Sequence, residues 1–354
     1  MGQSRTRFGK IHRAVFVAAA LGGVFLAAQG FAAEGETWGS RMYHFVLPES
    51  IRELLFPYRV KLQREMFSAW RNLFSQWFAQ PYLYLFAGMT FMLEKWIPAT
   101  KQRVVSAGLL QDFLWFIATA FLNLTVLAAW YGALALFYDR HLAFLNLESV
   151  GAWPLWLRAI LSVLTFDLCL WVGHFIRHRS RVFWCFHLVH HSQREINFFS
   201  DDRFHLVDGL MASAVRIVPM KMVGLDFESI VALAVIMSWY TRVYHGNIRS
   251  NYGVLKYILV TPQSHRIHHS IEERHWGKNL GTYFTIWDRL FGTLYPHYDE
   301  YPATGIPDGR FPCEKSLNPL HLAGNFVRQF FYPFGLVLRR REASVAGAYS
   351  WVRR

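Results

Sequence analysis

The sequence predicts an all-α fold: a polytopic membrane bundle of four to five apolar helices after an N-terminal segment, capped on one side by a histidine-rich site for two metal ions. Three observations carry that expectation. Of 354 residues, 53% are apolar and only 17% charged, against about 25% charged in ordinary soluble domains. Apolar stretches of roughly membrane-spanning length recur along the chain. Ten of the sixteen histidines fall between residues 174 and 269, most of them in three tight clusters beside those stretches.

The N-terminus reads Arg5, Arg7, Lys10 and Arg13, then an uncharged run from Ala14 to Ala33. A basic start, an alanine-rich core and small residues near Gly30 and Ala32 suit a signal peptide; an uncleaved first membrane helix is the other reading. In residues 49–79 the apolar positions Ile51, Leu54, Leu55, Tyr58, Leu62, Met66 and Trp70 recur at spacings of three and four, with arginines and Lys61 between them. That period fits an amphipathic helix lying on a membrane surface and equally a helix packed on the membrane domain. Spans are expected at about 82–98, 109–138, 154–174, 207–222 and 228–244. The second is longer than a bilayer needs, and Asp112 suggests an interfacial beginning for it. The last two are close enough for a helical hairpin. Beyond 299 the chain is punctuated by Pro and Gly and ends basic, which reads as a tail near lipid headgroups. The expected divisions are therefore 1–33, signal peptide or anchor; 34–81, interfacial segment; 82–298, membrane domain; and 299–354, basic cytoplasmic tail.

The formal charge is +13. A nucleic-acid binder is rarely this apolar, and no binding motif is present, so nucleic acid is not an expected partner. Basic loops facing cytoplasm and anionic lipid fit better. Lys95, Lys101 and Arg103 follow the first span, and Arg177, Arg179, Arg181 and Arg194 follow the third. The positive-inside rule then puts both loops, and residues 245–354, in the cytoplasm. All three histidine clusters face that side. The expected localisation is multi-pass in a bacterial inner membrane with the site on its cytoplasmic face.

The clusters are His174 with His178, then His187, His190 and His191, then His265, His268 and His269. Residues three and four apart share a helix face, so each set projects together. His245 ends the fifth apolar stretch on the same side. These nine are the candidate metal ligands. Imidazole suits iron, zinc, copper and nickel, and so many imidazoles exceed the needs of one tetrahedral ion. Cys169, Cys185 and Cys313 are far apart and make no thiolate site. No zinc-protease motif, phosphate loop or dinucleotide fingerprint occurs. His12, His44, His141, His297 and His321 read as ordinary interface residues. His205 and His275 have no helical partner histidine. Glu195, Asp201 and Asp202 are candidates for orienting ligand imidazoles, with solvated loop charges as the plainer reading.

The three histidine boxes, together with Asp167, Asn197, Arg203, His245, Asn247, the stretch Asn279 to Tyr283 and the stretch Trp287 to Thr293, resemble the fatty acid hydroxylase and sterol desaturase superfamily. The similarity covers roughly residues 82–295. It implies a small bundle of membrane helices under a cytoplasmic dimetal site, holding two non-haem irons and using O2 as co-substrate on lipids. It implies hydroxylation or desaturation of a fatty acyl, sterol-like or other alkyl chain. Electrons would come from an external donor, a ferredoxin or a b-type cytochrome with its reductase. The chain departs from the pattern at Arg249, where some members place a further histidine; Asn247 or a water would then complete a coordination sphere. A metal transporter or sensor, and a catalytically silent member of the same fold, are the alternatives.

Overall fold

The computed structural model describes residues 81–122, 126–224 and 231–338. These lie within a unit spanning Leu73–Arg354. Expectations for the N-terminal 80 residues, for 225–230 and for the last sixteen fall outside the described residues. Those described form helices α1 (Pro81–Trp96), α2 (Ala107–Leu122), α3 (Ala128–His141), α4 (Leu155–Arg179), α5 (Arg181–His191), α6 (Leu206–Met222), α7 (Val231–Tyr244), α8 (Pro262–His268), α9 (Ile286–Leu290) and α10 (Pro319–Leu338). Among the described residues there is no strand, only isolated antiparallel bridges. The all-α expectation holds there.

One described helix segment, Trp156–Arg179 in α4, is long and apolar enough to cross a membrane; the apolar segment Ala107–Ala120 of α2 is shorter. Of the stretch expected as one span over 109–138, the described residues give α2 to Leu122 and α3 from Ala128, and residues 123–125 lie outside them. The two have different neighbours, α2 packing on α10 and α3 on α6. Asp112 is fully buried. Its carboxylate accepts from Arg203 Nε at 2.6 Å and Asn197 Nδ2 at 2.7 Å, so it anchors the loop after α5.

The residues that carry histidines are held by well-made helix ends. Ser180 caps α5, its hydroxyl accepting from Phe183 N. Thr261 caps α8 in a reciprocal pair with Ser264, and Pro262 supplies the first helical residue. α4 runs along α6 and contacts α5. The segment expected as a tail is part of this core through residue 338. α10 packs on α5, and Leu336 joins Trp115, Trp184, Leu188 and Val189 in one apolar cluster. Gln329 accepts from Trp115 Nε1 at 2.8 Å. The buried face of α10 mixes Leu322 and Leu336 with Asn325 and Gln329, whose amides find partners on α2.

Candidate metal centre

The nine histidines expected as ligands are brought together in two buried groups. His174, His178, His187, His191 and His268 form one, and His190, His245, His265 and His269 the other; within each group the nearest ring nitrogens all lie within 4.8 Å of one another. Rings of the two groups touch, His191 and His269 stacking at 4.4 Å between centroids.

Helical geometry explains how the boxes are shared out. On α5, His187 and His191 are one turn apart and face the first group, while His190 points about 60° away and enters the second. α8 does the reverse. His265 and His269, one turn apart, serve the second group and His268 the first. The second and third boxes are thus split between the groups, while His174 and His178 both serve the first.

Backbone and carboxylate acceptors fix the ring tautomers. A carbonyl oxygen can only accept, so the imidazole nitrogen facing it carries the proton. His174 Nδ1 donates to Leu280 O at 2.9 Å, His268 Nδ1 to Lys278 O at 2.9 Å and His245 Nδ1 to Thr241 O at 2.7 Å. His187 Nδ1 lies 2.9 Å from Asp208 Oδ2, a fully buried carboxylate. Their Nε2 atoms therefore bear lone pairs. Yet His174 Nε2 and His187 Nε2 stand 3.1 Å apart, and His245 Nε2 stands 2.7 Å from His265 Nε2. His268 Nε2 and His178 Nε2 are buried with no hydrogen-bond partner.

Protonation does not relieve this crowding. Burial, reinforced by neighbouring imidazoles and, for His187 and His190, by Arg177, holds His187, His190, His191, His265 and His269 well below the usual imidazole range. Burial takes His268 down to about 3. Converging neutral lone pairs about 3 Å apart are what two imidazoles on adjacent positions of one transition-metal ion present, since such bonds are roughly 2.0–2.1 Å. The donor set fits a metal in each group.

The loop after α8 supplies the acceptors and is itself held by carboxylates. Asp288 accepts from Leu280 N at 2.8 Å, Gly281 N at 2.9 Å, Trp171 Nε1 at 3.1 Å and Thr293 Oγ1 at 2.5 Å. A Cβ on Gly281 would come within 2.9 Å of that carboxylate and 2.7 Å of Phe284 O, so only glycine fits. Asp167 on α4 accepts from Tyr283 N, Phe284 N and Trp287 Nε1 at 2.8–3.1 Å. Asn279 sits at φ 53°, accepts from Tyr295 N and donates to Ser264 O.

Other sequence candidates lie elsewhere. Asp201 Oδ1 is 3.5 Å from His245 Nδ1, whose closer partner is Thr241 O. Asp202 pairs with Arg242 at 2.7 Å, and the Glu195 side chain lies against Gly108. Asn247 is engaged by Thr100 and Arg266, so it is not free to complete a coordination sphere. Arg249 stacks over Tyr301. His205 caps α6, accepting from Val207 N at Nδ1 and donating from Nε2 to Phe330 O. His275 pairs with Ser270 Oγ and lies 3.4 Å from Glu300. The missed residue is Asp208. An acidic residue at the head of an apolar stretch was its signal.

Residues 159–293, just over a third of the chain, match the fatty acid hydroxylase family model. This segment belongs to the fatty acid hydroxylase and sterol desaturase superfamily. It contains all nine histidines. The chain is 28% identical over 143 residues to an ornithine lipid hydroxylase of Rhizobium tropici, 40% of this chain and 43% of that protein. It is 31% identical over 158 residues to an alkylglycerol monooxygenase of Danio rerio, 44% of this chain and 34% of that one. A Delta(7)-sterol 5(6)-desaturase of Gibberella zeae is 26% identical over 214 residues, 60% of this chain and 56% of that protein. The chain thus spans only a third to just over half of these relatives. No solved structure matches it.

Proposed function

We propose that the nine histidines hold two iron ions and that the protein is an O2-dependent membrane oxidoreductase that hydroxylates or desaturates a lipid. The observation that carries this is the convergence of buried imidazole nitrogens in two adjoining groups, with the tautomer-fixed lone pairs of His174 and His187 facing each other in the first. The relatives' names, a lipid hydroxylase, a monooxygenase and a sterol desaturase, supply the direction. When bound, the metal pair supplies the redox chemistry that an unactivated C–H bond requires and that no side chain here offers.

The chain's own residues do the rest. Leu280, Lys278, Thr241 and Asp208 hold the protons of four imidazoles on Nδ1, aiming Nε2 inward. Trp184 lies against His178 and His191 at 5.0–5.1 Å, and Tyr244 against His265 at 4.5 Å, which keeps water from both groups. α4 crosses the bilayer in this reading, and the shorter apolar helices gather round it as a multi-pass bundle with the site on the cytoplasmic side. Electrons come from an external donor, a ferredoxin or b-type cytochrome. Exposed Arg103, Arg194 and Lys315 rim a cavity of about 410 Å³ that reaches Gln193 and Arg203. Arg203 Nη1 donates to Ser192 Oγ, beside His191. That basic rim suits an acidic donor.

The test is metal analysis of the purified chain joined to comparative lipid mass spectrometry with and without His190→Ala. Two irons per chain and a lipid that gains one oxygen, or loses two hydrogens, only with the unsubstituted protein support the reading. Metal-free protein with unchanged lipids leaves the silent family member.

A further inference from the structure

We propose that residues 253–258 and α9 together form a surface that dips into the lipid–water interface beside α4, with anionic lipid as its occupant. The inference rests on α4 crossing the bilayer and is otherwise independent of the chemistry at the histidines.

The surface is built, not incidental. Thr285 N donates to Ile258 O at 2.9 Å and Thr285 Oγ1 to Tyr257 O at 3.0 Å, and Leu259 pairs with Phe284. These bonds set the 3₁₀ turn Gly253–Tyr257 against the start of α9. Its outer side chains are large, apolar and unusually open: Val254 is 79% exposed, Leu290 65%, Ile258 59% and Phe291 55%. Single exposed apolar residues are ordinary on a protein surface, whereas a contiguous group marks a contact. Two cations lie among them. Lys256 Nζ is 5.3 Å from the Tyr257 ring centroid and 4.8 Å from that of Tyr298, and the Arg289 guanidinium is 5.7 Å from Tyr257. Tyrosine flanked by Lys and Arg is the composition of a membrane interface.

Its position on α4 names the occupant. Trp156, Ile160 and Leu164 are exposed along one face of that helix. Trp171 continues the face one heptad after Leu164. There the ring is covered by Phe291, stacked at 4.4 Å, and its Nε1 is held by Asp288. The open apolar stripe of α4 therefore runs directly into the Phe291–Leu290 edge. Fifteen residues separate Trp171 from Trp156, about 22 Å along the axis. Against a hydrocarbon core of roughly 30 Å, Phe291 meets the helix inside the far edge of that core. Exposed Arg179 lies just beyond, at headgroup level. Lys256 and Arg289 supply the same charge there, which favours acidic lipid.

The experiment places single nitroxide labels on the full chain in phosphatidylcholine nanodiscs, with and without phosphatidylglycerol, in a Cys313→Ser background. Labels go at Val254→Cys and Leu290→Cys, with Ile160→Cys reporting the span and Gly309→Cys an exposed loop. The expected result is that labels at 254 and 290 are relaxed more by dissolved oxygen than by a water-soluble nickel complex, as at 160 and opposite to 309. Phosphatidylglycerol shifts both further toward oxygen, and Lys256→Glu with Arg289→Glu abolishes that shift. Labels at 254 and 290 behaving like 309, while 160 stays in lipid, overturn the inference and leave the span standing. A label at 160 that also reports water overturns both. No shift with phosphatidylglycerol overturns the choice of acidic lipid.

Discussion

At the scale of single residues, the site depends on where imidazole protons sit. Asp208 is fully buried between His187 and Arg177, its Oδ2 lying 2.9 Å from His187 Nδ1 and 3.4 Å from Arg177 Nη1. Asp208→Ala removes the acceptor that keeps His187 Nε2 unprotonated and leaves a guanidinium without its partner. Loss of such a supporting acceptor typically costs 10–100-fold in metal affinity or activity. Asp208→Asn retains an accepting oxygen and loses only the charge, so its loss falls between Ala and the unsubstituted chain. Chelator competition followed by iron analysis reads the order; equal retention in all three would refute the tautomer argument. The second residue-scale expectation concerns the groups separately. His265→Ala takes one of four nitrogens from its group and none from the other. Metal content is expected to fall from two ions toward one per chain. A fall to zero would mean that the groups do not bind independently.

At the scale of elements, α8 is the most sensitive part. Seven residues long, it supplies His265 and His268 and is followed at once by His269, so it serves both groups. So short a helix has little intrinsic stability and relies on its ends. Thr261→Ala removes a hydroxyl that accepts from Ser264 N at 3.0 Å. The expected cost is about 1 kcal/mol, read as a lower melting temperature, with both ions released together as chelator rises. Asp288→Ala is expected to cost more, because Leu280 N and Gly281 N lose their partner in the interior, at about 1–3 kcal/mol for each buried donor. Much of this element level was legible in the sequence. Helical spacing placed the three boxes on helix faces, and all nine histidines do converge. Periodicity could not show that His190 parts company with His187 and His191, because that depends on where the neighbouring helices stand. Nor could it show that Leu280 and Lys278 act through main-chain carbonyls, which every residue type possesses. Glu195 and Asp202 looked suitable by charge and proximity in sequence, but arginine and loop contacts claim them in three dimensions.

At the scale of the whole molecule, apolar composition announced helices that need covering without saying what covers them. The basic, Pro- and Gly-rich stretch after residue 299 read as a tail because its start lacks helical period. Yet Asp308, Glu314, Asn325 and Gln329 all reach partners in the core or within its own fold. The candidate ligand histidines are buried as well, and their burial is expected to make the fold acid-labile. In the folded chain His187, His190, His191, His265 and His269 lie well below the usual range, and His268 near 3, whereas in the unfolded chain each titrates near 6.5. Above about pH 6.5 neither state binds a proton at these rings, so their contribution to stability is complete. As pH falls below that value the unfolded chain takes up protons that the folded chain refuses. Stability then drops by about 1.4 kcal/mol per pH unit for each such histidine, down toward its folded pKa. Several histidines act together, so metal-depleted protein is expected to lose its fold steeply between about pH 6.5 and 5. Bound metal, which competes with the same protons, moves the midpoint lower. Tryptophan fluorescence against pH, with and without added Fe(II), measures both curves. A flat metal-depleted curve down to pH 5 would mean that the rings are solvated in the folded protein, and the enclosed site would have to be abandoned.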